Sequence, residues 1–140
     1  MIEVNPNLAA ITRFVREVLG CNCPDAVFKQ IKVQRGATAV RSCPADYEIR
    51  IGDKLLIVVT SSAKLTEVSW LENVILEGKQ ARDMTGFNRF RLVVVIPEAS
   101  RWREELLRVF DNISSRDKKT HLHVIEQEDM PILFEKAEEK

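Results

Sequence analysis

The chain is poor in the residues that build most recognisable sites. It holds three cysteines, two histidines and five glycines in 140 residues. The glycines stand apart, so there is no glycine-rich loop to cradle a phosphate chain. Three cysteines are too few for the disulfide framework of a small secreted domain. Surplus charge is missing as well: Lys plus Arg is 21, Asp plus Glu is 21, and the formal net charge is zero. A zero balance argues against a dedicated nucleic-acid or membrane-surface binder, because phosphate contacts draw on surplus Lys and Arg; a local patch remains compatible with it. Long apolar runs are absent too. Leu55 to Val59 and Leu92 to Ile96 are the longest, and each is the length of one buried strand. The start, Met1-Ile2-Glu3-Val4, shows neither the positive charge nor the apolar stretch of a signal peptide. The expectation is a cytoplasmic protein with no membrane partner and with its cysteines kept as reduced thiols.

What is present describes a folded domain. Apolar residues make up 45% and charged residues 30%, which suits a single globular unit over residues 1–140. Leu8, Ile11, Phe14, Val15, Val18 and Leu19 recur every three or four positions, predicting a first helix capped by Asn5 or Asn7 and stopped at Gly20. Pro24 and Asp25 can open a short turn carrying Val27 and Phe28. Ile31 and Val33 alternate with Lys32 and Gln34, as in a strand ending at Gly36. Tyr47, Ile49 and Ile51 alternate with Glu48 and Arg50, predicting a half-exposed strand that turns at Gly52-Asp53 into the buried run from Leu55. A long helix over Glu67 to Met84 follows, and Gly78 within it marks a close approach to the sheet. Leu92 to Ile96 is a second buried strand. Ser100 is the expected cap of a third helix, and His121 to Ile125 forms a last strand. Pro131 to Lys140 is a short helix or a frayed tail. The fold class is therefore α/β: one three-layer domain, a mixed sheet of about five strands flanked by helices, in the order α-β-β-β-α-β-α-β.

The thiols are the first candidate site. Cys21 and Cys23 are two apart just past a helix end, and Cys43 precedes a proline in a later loop. Thiolates are soft ligands that suit zinc or an iron–sulfur cluster, so Cys21, Cys23 and Cys43 are candidate metal ligands. A fourth ligand would come from Asp25, Asp46, His121 or His123. The same pair can instead cycle between dithiol and disulfide, with Cys23 at the start of a short helix and Cys21 resolving it. The plain alternative is that all three are small apolar fillers of the core.

The order α-β-β-β-α-β over Leu8 to Ile96 resembles the common core of the restriction-endonuclease-like nucleases. The resemblance rests on element order alone. It implies an acidic residue near the second strand and an acid-x-Lys step on the third. Val58-Val59-Thr60 stands where that step belongs, so the step is absent. Asp46 and Glu48, with Arg50, are the nearest substitutes and could hold magnesium. Otherwise they form a solvated strand face.

His121 and His123 share one side of their strand, as a metal pair, a general base, or two exposed edge residues. Arg82, Arg89, Arg91, Arg101, Arg103 and Arg108 are interleaved with acids, which describes a salt-bridged surface. Trp70 and Trp102 are interface anchors or half-buried edge residues. No nucleophile, base and acid are spaced so as to demand catalysis. Two functional classes result. One is a thiol-dependent metal or redox binding protein, with zinc or an iron–sulfur cluster as the possible cofactor. The other is a non-catalytic interaction module of degenerate nuclease-like fold, acting on a protein or nucleic-acid partner or as a homodimer.

Overall fold

The computed structural model describes residues 6–21, 25–36, 40, 45–52, 54–61, 68–114 and 118–133. Helix α1 spans Leu8–Arg13, and Asn7 caps it by accepting from the Ala10 amide at 3.2 Å. The sequence predicts one continuous helix to Gly20, but Phe14–Val18 widens into a π-helical turn. There the Leu19 amide donates to the Phe14 carbonyl, five residues back. Gly20 takes a positive φ of 71°, and the Cys21 amide closes onto the Val15 carbonyl. That closure is one residue wider than the usual glycine-terminated helix end, as a π-turn requires. A 3₁₀ turn covers Asp25–Lys29, where the sequence placed a short helical turn.

Five strands form a single mixed sheet. They are β1 (Ile31–Arg35), β2 (Tyr47–Ile51), β3 (Leu55–Thr60), β4 (Arg89–Val95) and β5 (Thr120–Ile125), side by side in that order. The pairs β1–β2 and β2–β3 are antiparallel, whereas β3–β4 and β4–β5 are parallel. The parallel steps are crossed by α2 (Val68–Thr85) and α3 (Ala99–Ser114). Side chains alternate across the pleat, so the strands feed two cores. Leu56, Val58, Phe90, Leu92 and Val94 pack with Leu71, Val74, Ile75 and Leu106. Ile49, Ile57, Val59, Val93 and Val95 pack with Ile11, Phe14, Val15, Leu19 and Cys21. β3 is buried at every position, as expected of a strand apolar on both sides. Among the described residues, no helix is long and apolar enough to cross a membrane.

Three local expectations are corrected. Glu48 does not lie on a solvated face: it is 1% exposed, because β2 is an interior strand and its polar side turns toward the first core. The Glu48 carboxylate accepts from Arg50 Nε at 2.8 Å. Ser100 is not the cap of α3, because the helix begins one residue earlier. The Ala99 amide donates to the Glu126 carboxylate at 2.6 Å, so the cap comes from the far end of β5. The fourth strand starts at Arg89, three residues before the apolar run. Residues 134–140 and the loop bearing Cys43 lie outside the described residues. Leu133 is buried and accepts from the Asn7 amide at 2.8 Å, joining the start of α1 to the segment after β5.

Candidate functional site

The longer β4 decides where the chemistry gathers. Residues at odd positions of β4 and β5 share one side of the sheet. Arg91 pairs in register with His121, and Val93 with His123. Arg89, Arg91, His121 and His123 therefore project from one face. It is the face that packs against α1 and the π-turn.

Arg91 is 7% exposed. Its Nη1 donates to the Leu19 carbonyl at 2.9 Å and meets His123 Nε2 at 2.9 Å. A guanidinium can only donate, so His123 Nε2 accepts and the ring is neutral with its proton on Nδ1. Burial, then Arg91, then His121 lower the His123 pKa to about 3. Burial, then the neighbouring Arg89, also lower the Arg91 pKa. Arg89 donates to the Lys118 carbonyl at 2.9 Å and lies 3.3 Å from His121 Nε2. Arg91 Nε is buried with no hydrogen-bond partner. Among the described residues no carboxylate lies in salt-bridge range of Arg89 or Arg91.

Cys21 sits beside this cluster, two residues beyond the carbonyl that Arg91 holds. It is 5% exposed, packed in the second core, and disulfide-bonded. Cys23 and Cys43, the other two candidate ligands, lie outside the described residues. So does the side chain of Asp25. Asp46 is exposed at the start of β2, remote in the sheet from His121 and His123 on β5. Among the described residues no group of three or more His, Cys, Asp or Glu side chains is placed to hold a metal ion.

The other arginines divide. Arg101 and Arg108 form exposed pairs with Glu98 and Glu104, as a salt-bridged surface would. Arg82 is instead buried and bonds Thr120 Oγ1 at 2.9 Å, and Arg103 reaches the Val124 carbonyl. Trp70 and Trp102 are partly buried against the first core. Arg91 stands apart from that surface, buried against Leu19 and His123. The signal was in the sequence: Arg89-Phe90-Arg91 and His121-Leu122-His123 both alternate at strand period. Comparison with protein-family models, curated proteins and solved structures found no match.

Proposed function

We propose that the chain is a thiol–disulfide redox protein whose working group is Cys21. The observation that carries this reading is the disulfide at Cys21, at the end of a π-turn fastened to the sheet by Arg91. In the expected cytoplasmic compartment a disulfide is a transient, working bond rather than a permanent staple. The exchange balances with a small dithiol as reductant. The dithiol gives up two electrons and two protons and closes its own disulfide; the Cys21 disulfide opens to two thiols. Those reduced thiols are the state suited to zinc or an iron–sulfur cluster, the metal-binding side of the same reading.

The test is a thiol count on denatured protein prepared without reductant, repeated after reduction. One free thiol rising to three is the expected result, with two in Cys21→Ser. Three free thiols from the outset would overturn the reading. Metal analysis of protein prepared without oxygen then separates the two branches: stoichiometric zinc or iron, lost in Cys21→Ser, favours the metal branch.

A second reading is a non-catalytic interaction module on a nuclease-like core. Its support is the neighbour order of the strands, with an antiparallel first half and parallel second half. Buried Glu48 is paired with Arg50, which leaves that carboxylate engaged with a cation of its own strand. Sedimentation at several concentrations, with mobility shifts against duplex DNA, tests it: a monomer that binds no DNA and retains no protein partner argues against it.

A further inference from the structure

The geometry points to an oxyanion-binding site on the free edge of Arg91, flanked by Arg89 and His123, for a phosphate-class ligand. A buried guanidinium is normally paired with a carboxylate, because an uncompensated charge in the interior is costly. Arg91 has only a carbonyl and a neutral imidazole, both on Nη1. Nε is buried without an acceptor, and Nη2, through which a ligand would reach this edge, is not itself sealed and makes no hydrogen bond among the described residues. Nε–H and Nη2–H are parallel donors, the edge with which arginine holds an oxyanion through two bonds.

The surroundings select the charge of the ligand. Arg89 projects from the same face two residues earlier and has no carboxylate partner among the described residues. The His123 ring carries its proton on Nδ1, so it offers a further neutral donor. Two guanidiniums without counter-charge match a dianion better than a monoanion such as a carboxylate. The Leu19 carbonyl and His123 fix the Arg91 side chain in advance, which lowers the entropy lost on binding. The site uses none of the thiols.

The experiment is calorimetric titration of the intact chain with sodium phosphate, against sodium chloride and sodium acetate at matched ionic strength, followed by imidazole proton resonances. Saturable phosphate binding that moves a His123 resonance and is not reproduced by acetate is the expected result. Arg91→Lys keeps the charge but loses the two-donor edge, and should weaken binding about tenfold or more. If that variant does not fold, Arg89→Gln, at an exposed position, should still weaken binding severalfold. An esterified phosphate such as a nucleoside monophosphate, run in parallel, separates a phosphoryl group on a larger molecule from the free ion. No saturable binding beyond chloride, or binding unchanged in the folded Arg89→Gln protein and equal for acetate, overturns the proposal.

Discussion

Arg91 Nη1 lies 2.9 Å from His123 Nε2, and this contact requires the imidazole to be neutral. It joins two adjacent parallel strands through side chains one step diagonal in the ladder. The guanidinium also reaches the Leu19 carbonyl, so one side chain ties β4, β5 and the end of the first helix together.

Acid should therefore loosen the fold through His123. Its pKa falls from 6.5 to about 3 on folding. The unfolded chain takes up the proton below 6.5, whereas the folded chain resists until about 3. Stability is thus complete above the first value and is lost as the pH falls through this window, at up to about 1.4 kcal/mol per unit. Urea unfolding at about pH 7.5 and about pH 4.5 should show a loss about 2–3 kcal/mol larger in the native sequence than in His123→Gln. Equal losses in the two proteins would show that His123 is not the titrating group.

Gly78→Ala should destabilise, although alanine is the better helix former. A Cβ at Gly78 would overlap the ring of Phe90, which is fully buried in β4. The helix propensity gained is about 1 kcal/mol, whereas overpacking costs about 1–3 kcal/mol. Adding Phe90→Leu should recover part of the loss relative to Phe90→Leu alone. Thermal unfolding of the four proteins in that cycle measures the coupling directly.

Glu126 caps a helix from another element. Its carboxylate accepts from the Ala99 amide, while its own amide donates to the Asp129 carboxylate at 3.2 Å. Glu126→Ala should cost about 1–2 kcal/mol, with Glu126→Gln milder because an acceptor remains. A Ser100→Ala variant should change little, and a large effect there would contradict the cap assigned to Glu126.

Arg50→Leu should be worse than its exposure suggests. Arg50 is 38% exposed at the side chain, but its partner Glu48 is fully buried at the side chain. Removing the arginine leaves a buried carboxylate with one fewer donor, at a cost of about 1–3 kcal/mol. The double variant Arg50→Leu with Glu48→Gln should lie closer to the native stability than the two single losses added. Strict additivity would mean that the pair is not coupled.

Much of the architecture was legible in the chain because burial imprints a period. The apolar runs in β3 and β4, the alternation in β2 and the stripe of the first helix identify a mixed five-stranded sheet with helices. Gly78 was legible for the same reason, since a glycine inside a helical pattern has to be explained by packing. Glu48 was misjudged because alternation identifies two faces but not what covers the second one. Arg91 was missed because strand boundaries were drawn where the apolar run began, and a charged residue was assigned to solvent by its type.

The sequence by itself determined the order and type of the main strands and helices, the depth of β3, and the absence of a glycine-rich phosphate loop, because these depend on residues close together in the chain. Only the tertiary structure decided that Arg91 is buried against His123 and Leu19, that Glu126 caps α3, and that Glu48 turns inward. Each of those relations joins residues far apart in sequence. The cost of burying a charge or an unfilled helix end is met by whichever group the fold carries there, which no local pattern specifies.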